Sequence, residues 1–268
     1  MSVALSDINI YPIKSCKGFS AESWELEARG FRYDRRWMLV DNEGMFLTQR
    51  DFPRLTLVSV QVKSDHLRVE APNMEPLFVP FKLESKKHIP VVVWEDGVEA
   101  VSVSKEAANW FSEFLGFSCK LVAMTERSLR PVDKNYSVNN DIVSFADAFP
   151  LLLISEASLA DLNSRLEVVI PMKRFRPNLV VKGCEPFAED SWKEIMIGDV
   201  ALHVVKPCAR CTITTVDPET GEKGQEPLRT LATYRTVDNK VMFGQNVLHA
   251  NNGTLRVGDE VNVLSLLQ

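Results

Sequence analysis

The sequence contains few histidines and few cysteines, and neither type is spaced like a metal cluster. Four histidines and five cysteines are scattered through 268 residues, and only Cys208 and Cys211 lie close together. A structural zinc site needs two further ligands, normally a second close pair. An odd number of cysteines without framework spacing is typical of reduced thiols, which predicts a cytoplasmic protein.

Long apolar runs and an excess of basic residues are missing too. No apolar run reaches the roughly 20 residues of a membrane-spanning helix, and the first residues do not resemble a signal peptide, so we expect no membrane partner. The formal net charge of −5 argues against a nucleic-acid partner. With 45% hydrophobic and 25% charged residues, the composition is typical of a globular chain of one large or two modest domains.

The sequence also lacks two common cofactor motifs. It has no Cys-x4-Cys-x2-Cys spacing, so we expect no iron–sulfur cluster in this chain. It has no Gly-x-Gly-x-x-Gly fingerprint, so no dinucleotide site is predicted. Redox chemistry in this chain would therefore need another cofactor and an external electron donor.

Short strands separated by turn residues make up most of the predicted structure. Alternating apolar and polar residues predict a strand at residues 3–10. Further strands are predicted around Trp24 and at residues 36–40, 45–48, 55–62, 66–70, 90–94, 98–103, 121–123, 179–181, 192–197, 200–205, 212–216, 246–250, 255–257 and 260–264. The predicted fold class is mostly β with a few helices, an α+β protein containing barrels or curled sheets.

The few predicted helices have clear end signals. Ser104 is a good N-cap, an apolar face follows it, and Gly116 lies where a C-terminal cap belongs. Further helices are predicted at residues 155–166 and near Pro227. The polar, basic residues 125–139 are interpreted as a solvated connection, which divides the chain into domains at 1–124 and 125–268.

Residues 206–215 concentrate the reactive groups of the chain. An apolar strand leads to Pro207, which is predicted to end it, and Cys208 and Cys211 flank Arg210 on a short loop before a β-branched run. An adjacent cation favours the thiolate, the form that binds soft metals. A redox pair, a zinc site and two inert thiols all stay open, although a redox pair normally opens a helix.

Short motifs occur in order along the whole chain and carry a family resemblance. They are Ile10-Tyr-Pro-Ile-Lys-Ser-Cys-Lys-Gly18, Asp34-Arg-Arg-Trp37, Thr48-Gln-Arg50, Pro53-Arg-Leu55, Ser155-Glu-Ala-Ser158, Phe175-Arg-Pro-Asn178, Phe243-Gly-Gln-Asn246, Val257-Gly-Asp259 and residues 144–147, 183–192 and 207–211. Together they resemble the MOSC family, most closely its branch of N-hydroxylated-compound reductases. The resemblance implies an N-terminal β-barrel-like domain packed on a MOSC β-barrel domain, with a molybdenum cofactor (Mo-molybdopterin) in the cleft between them.

The resemblance also assigns site residues. It implies that Cys211 binds the metal, that Cys208 has no ligand role, and that Asp147 relays a proton. The positions that contact the cofactor or border the open face of the metal are Lys14, Ser15, Arg35, Asp147, Arg176, Asn178, Arg210 and Cys211. Each has a simpler interpretation: an isolated charge is usually solvated, and Asp147 could accept hydrogen bonds within a turn.

The implied activity is a reduction. N-hydroxylated base analogues, hydroxylamines or amidoximes would lose oxygen as water, with two electrons supplied by a partner. Many bacterial relatives carry a C-terminal ferredoxin-type domain that this sequence lacks. We therefore expect a ferredoxin-type domain and a flavin reductase to act as separate partners. A sulfur carrier, a cofactor carrier without turnover and a binding module with a structural cysteine pair remain alternatives.

Overall fold

The structure, a computed structural model, describes residues 2–83 and 88–267 and is mostly β-sheet. The strands of the first half are β1 (Ala4–Ile10), β2 (Phe19–Ala21), β3 (Ser23–Glu27), β4 (Gly30–Phe31), β5 (Trp37–Val40), β6 (Ser59–Val62), β7 (His66–Glu70), β8 (Leu77–Pro80), β9 (His88–Val93), β10 (Asp96–Ser102) and β11 (Lys120–Ala123). Those of the second half are β12 (Leu151–Ser155), β13 (Leu179–Lys182), β14 (Trp192–Ile197), β15 (Val200–Ala209), β16 (Thr236–Val237), β17 (Lys240–His249), β18 (Gly253–Arg256) and β19 (Val261–Leu266). The predicted mostly β, α+β fold class is confirmed.

The helices are short, and the first is capped by the residues that the sequence indicates. The helices are α1 (Lys105–Leu115), α2 (Glu156–Asn163) and α3 (Leu228–Ala232). The Ser104 side chain accepts a hydrogen bond from the Ala107 amide, and Gly116 ends α1 at a φ of 64°, a conformation that favours glycine. The helices of the described part of the chain are all too short to cross a membrane.

One large sheet organises the second half. Its strands follow the order β19-β14-β15-β17-β12-β13-β1-β2, and β16 pairs with β17 beside this path. Strands β12 and β13 are parallel and are joined through α2, whereas the other pairs along this path are antiparallel. Because β1 pairs with β13, the first strand of the chain belongs to the sheet of the second half. The domain boundary between residues 124 and 125 stays a prediction.

The first half forms smaller sheets around its own core. One sheet has the order β5-β11-β10-β9 and another the order β6-β7-β8, and the aromatic face of α1 packs beside them. The chain passes from the large sheet to this half directly after β1, where the Lys14 amide donates to the Trp37 carbonyl at 2.8 Å. This crossing places Lys14 and Ser15 where the two halves meet.

Three predicted strands are wrong in part or whole. Residues 45–48 form only isolated bridges, in which Met45 pairs with Val92 and Phe46 with Val40. The predicted strand at 55–62 begins instead with a 3₁₀ helix at Pro53–Leu57, because a proline is suited to the first turn of a helix and cannot donate to a sheet. Residues 212–216 also form a 3₁₀ helix, at Thr212–Thr215.

Candidate functional site

A cleft between the two halves gathers all of the predicted site residues. Its walls include Lys14, Ser15, Arg35, Asp147, Arg176, Asn178, Arg210 and Cys211. These residues come from the loops after β1, before β5, before β12, before β13 and after β15. Residues far apart in the sequence therefore line one space, and their individual roles stay predictions.

An ion pair with one buried and one exposed partner joins the two halves at the cleft wall. The Lys14 ammonium donates to Asp147 Oδ1 at 2.6 Å and to the Phe145 carbonyl at 2.8 Å. Lys14 is 6% exposed, whereas the Asp147 side chain is 63% exposed and open to the cleft. Burial lowers the pKa of Lys14, and the Asp147 carboxylate opposes this change.

Asp147 is held in its ionised form. Desolvation at the cleft wall raises its pKa, but the Lys14 charge and the hydrogen bonds from Lys14 and from Trp94 Nε1 outweigh desolvation. The net effect keeps the pKa of Asp147 well below its usual range. Asp147 is therefore a carboxylate at neutral pH and accepts hydrogen bonds from Lys14 and Trp94.

Arg130 fixes the loop that carries Asp147. Its guanidinium donates to the carbonyls of Ser144, Ala146 and Asp147, the last at 2.7 Å, and to Asp96 Oδ2 at 2.7 Å. Arg130 is only 3% exposed. The interpretation of residues 125–139 as a solvated connection is therefore wrong at Arg130, because the carbonyls of the loop around Asp147 need a buried donor.

Two arginines of the cleft wall stack on one tyrosine. The Arg35 and Arg176 guanidinium carbons lie 4.4 and 4.3 Å from the centre of the Tyr11 ring. Burial raises the pKa of Tyr11 to about 12, so the ring between the two cations stays neutral. Burial lowers the pKa of Arg176 to about 10, so Arg176 keeps its charge at neutral pH. The stack fixes two positive charges at the cleft wall, where each guanidinium can bind an anion.

Asn178 orients Arg35 through its side chain. Its Oδ1 accepts from Arg35 Nη1 at 2.9 Å and from the Leu152 amide at 3.3 Å, and its Nδ2 donates to the Asn9 carbonyl at 3.1 Å. Arg35 Nη1 also donates to Asp34 Oδ2 at 2.5 Å. These contacts support a positioning role for Asn178.

Three residues of the cleft have backbone conformations that favour glycine. Ser15, Arg35 and Arg176 have φ values of 69°, 48° and 57°. Such conformations cost about 1–3 kcal/mol each and persist only where surrounding contacts enforce them. Gln49, for example, donates to the Ser15 carbonyl at 2.6 Å. Strain at three positions around one cleft is typical of a functional site.

The two close cysteines differ in their surroundings. Cys208 lies within β15, which continues through Pro207 to Ala209 with irregular register, so the prediction that Pro207 ends the strand is wrong. The Cys208 sulfur accepts from Arg210 Nη1 at 3.0 Å. Cys211 lies directly before the 3₁₀ helix at Thr212–Thr215, lines the cleft and forms no disulfide.

The sequence matches two family descriptions that together cover most of the chain. The first half matches "MOSC N-terminal beta barrel domain" over residues 2–118. The second half matches "MOSC domain" over residues 140–262. The chain belongs to the MOSC family.

Three relatives of this MOSC protein are similar along nearly its whole length. Mitochondrial amidoxime reducing component 2 of Rattus norvegicus is 41% identical over 96% of this chain and 82% of its own length. Mitochondrial amidoxime-reducing component 1 is 42% identical in Mus musculus and 38% in Homo sapiens, in both over 95% of this chain and over 80% and 81% of the relative. The resemblance to this branch of the MOSC family is confirmed.

The side chains that line the MOSC cleft fit an anionic cofactor. They offer few metal ligands, so the cofactor itself would supply most ligands of its metal. Five cationic side chains and a single carboxylate line the cleft. Across residues 2–83 and 88–267, no three His, Cys, Asp or Glu side chains converge on a possible metal position, so the four-ligand zinc site considered above has no ligand set there. Cys211 can supply one soft ligand, and Arg35 and Arg176 can neutralise a phosphate.

Two other thiols of the MOSC protein lack this accessibility, whereas Cys184 and Cys208 are half-buried like Cys211. Cys16 and Cys119 are buried, and burial raises the pKa of Cys16 to about 12. Burial also raises the pKa of Cys119. These two thiols stay protonated, which makes them poor metal ligands.

Sequence reasoning did not assign a role to several residues of the cleft wall. They are Thr48, Arg50, Phe149, Leu152, Ile213, Thr214 and Asn246. Arg50 belongs to the Thr48-Gln-Arg50 motif of the family resemblance. This motif is the one sequence feature that could have indicated a role for Arg50.

Proposed function

We propose that this MOSC protein is a molybdenum-cofactor-dependent reductase that removes oxygen from N-hydroxylated compounds such as amidoximes, hydroxylamines and N-hydroxylated base analogues. The observation that carries the proposal is the convergence of the Cys211 thiol in one cleft with four cations, Lys14, Arg35, Arg176 and Arg210. The names of the relatives, amidoxime-reducing components, support the reaction class.

Separate groups of residues would hold the cofactor. Cys211 would ligate the metal, and its position before a short 3₁₀ helix holds its backbone in place, since its carbonyl accepts from the Thr214 amide at 3.2 Å and from Thr214 Oγ1 at 3.0 Å. The Arg35–Tyr11–Arg176 stack would bind the phosphate of the cofactor. When bound, the molybdenum cofactor would supply the two-electron redox chemistry.

The Lys14–Asp147 pair would supply protons to the substrate. Reduction of an N–O bond to an N–H bond and water consumes two protons. Asp147 is open to the cleft and ionised, and the Lys14 ammonium lies 2.6 Å behind it. Asp147 would accept a hydrogen bond from the N–OH group and pass two protons of Lys14 forward in succession, with solvent returning a proton to Lys14 after each transfer.

The electrons would come from another protein. We predict that the cofactor-loaded protein converts benzamidoxime to benzamidine with a strong artificial reductant, but not with NADH or NADPH alone, because the sequence lacks a dinucleotide fingerprint and cluster spacing. Adding a ferredoxin-type protein and a flavin reductase should restore turnover on NADPH. The measurement is benzamidine formation by chromatography. Steady turnover on NADPH without added protein would contradict the requirement for a partner, and no turnover with any reductant would contradict the function.

The cytoplasmic location expected from the sequence is retained as a proposal. The relatives carry the word mitochondrial in their names, and that word applies to those proteins. Fractionation of cells that express the full-length protein would test the location.

A further inference from the structure

The Arg50 guanidinium differs from the other cations of the cleft in having no polar partner within residues 2–83 and 88–267. Lys14 is paired with Asp147, Arg35 with Asp34, and Arg210 donates to the Phe175 carbonyl at 2.6 Å. Arg50 instead lies against two aromatic rings, with its guanidinium carbon 4.3 Å from the centre of Trp94 and 5.8 Å from that of Phe46.

The backbone around Arg50 holds its side chain toward the cleft. The Arg50 amide donates to Thr48 Oγ1 at 3.1 Å, and the Arg50 carbonyl accepts from Lys223. The neighbouring Gln49 side chain donates to the Ser15 carbonyl, which ties this loop to the cleft wall. Arg50 is therefore fixed at both its backbone and its guanidinium, with its N–H groups left for a ligand.

Trp94 places this cation beside the proton-handling pair. The Trp94 indole donates to Asp147 Oδ1 at 3.3 Å, and the Lys14 ammonium lies 5.5 Å from the centre of the Phe46 ring. Trp94 is 43% exposed and Asp147 is 63% exposed, so this group lies on the solvent-facing side of the cleft. The Tyr11 stack, by contrast, is anchored on buried Asn178 and on the Cys16 carbonyl.

We propose that Arg50 binds an anionic group of the substrate, a carboxylate or a phosphate, and so selects anionic N-hydroxylated compounds over neutral ones. The inference rests on the proposed function, which places the N–OH group at Asp147. A guanidinium presents paired donors that match a carboxylate or a phosphate, and the aromatic rings hold it without neutralising its charge.

The test compares Arg50→Gln and Arg50→Lys with wild type on matched substrates. Benzamidoxime and para-carboxybenzamidoxime differ by one carboxylate, and N-hydroxycytidine and its monophosphate differ by one phosphate. With an artificial reductant, Arg50→Gln should raise KM for the carboxylate or phosphate substrate by about 10- to 100-fold, as expected for loss of charged hydrogen bonds. KM for the neutral partner and kcat should change less than about twofold. Arg50→Lys should raise KM for the anionic substrates less than Arg50→Gln does.

Arg54→Gln is the matched control. Arg54 is exposed and also lies over an aromatic ring, with its guanidinium 4.7 Å from the centre of Phe114, but it is not part of the cleft wall. Its substitution should leave all four KM values unchanged. Equal losses on charged and neutral substrates in Arg50→Gln, or a loss of bound cofactor, would overturn the proposal.

Direct binding separates this inference from the proposed function. Trp94 is the most exposed of the five tryptophans, and it contacts Arg50. Para-carboxybenzamidoxime should therefore quench tryptophan fluorescence in wild type at concentrations at least about tenfold lower than in Arg50→Gln. This result supports the anion site even if no turnover is found. Identical titrations of the two proteins would overturn the anion site even if the reductase activity is present.

Discussion

Replacement of Cys211 by alanine is expected to remove molybdenum from the protein while the fold stays intact. Cys211 is the single cysteine predicted as a metal ligand, and the described residues offer no ligand cluster to replace it. Loss of a direct ligand should cost more than the roughly 10- to 100-fold in affinity seen for outer-shell partners. The measurement is molybdenum per chain, by elemental analysis, after purification from a host that makes the cofactor.

Cys208→Ala is the matched control for this substitution. Cys208 lies three residues away on β15, and its sulfur accepts from Arg210 Nη1 at 3.0 Å. Removing the Cys208 thiol deletes one hydrogen bond to Arg210 but no proposed ligand, so most of the molybdenum should remain. Equal metal loss in both variants would contradict the assignment of Cys211 as the single ligand and indicate a site that uses both thiols.

Asp147→Asn is expected to lower kcat by about 100- to 10,000-fold, the range for loss of a general acid–base group. The amide cannot accept and return a proton, although it keeps the shape of the carboxylate. The loss should appear with artificial reductant and with full molybdenum content, since Asp147 is proposed to act on protons and not on the metal. Asp65→Asn is the control, because Asp65 is an exposed carboxylate outside the cleft.

The pH dependence provides a second readout for the same pair. In wild type, the rate should fall at high pH as Lys14 loses its proton, and burial places this loss below the usual lysine pKa. Removing the Asp147 charge removes a contribution that raises the pKa of Lys14, so the alkaline limb of Asp147→Asn should move to lower pH. Rates within about twofold of wild type, or an alkaline limb that does not move, would contradict the proton-relay role.

Local sequence signals predicted many of the regular elements but missed the strands β2, β4, β8, β12 and β16. The alternating pattern at the start of the chain corresponds to β1, and the Ser104 and Gly116 caps correspond to the ends of α1. These signals work because each depends on residues a few positions apart. The site residues could be proposed only through the family resemblance, since nothing local indicates that Lys14 and Cys211 line one cleft.

The errors arose where side chains compete with the backbone or act across long distances. Residues 212–216 are β-branched and suggested a strand, but the Thr214 and Thr215 hydroxyls donate to carbonyls three residues earlier and stabilise a 3₁₀ helix. Arg130 resembled a surface charge, and Arg50 was recognised only as part of a family motif. Their environments depend on contacts with Asp96, the loop before β12 and Trp94, which no spacing in the sequence reveals.

Single-turnover reduction of benzamidoxime tests the central proposal most directly. The cofactor-loaded protein is reduced, freed of excess reductant and mixed with substrate without oxygen, and benzamidine is counted against bound molybdenum. The proposed function predicts close to one benzamidine per molybdenum, with none formed by cofactor-free protein. Molybdenum-loaded protein that forms no benzamidine, or equal formation by cofactor-free protein, would contradict a molybdenum-dependent reductase built around Cys211.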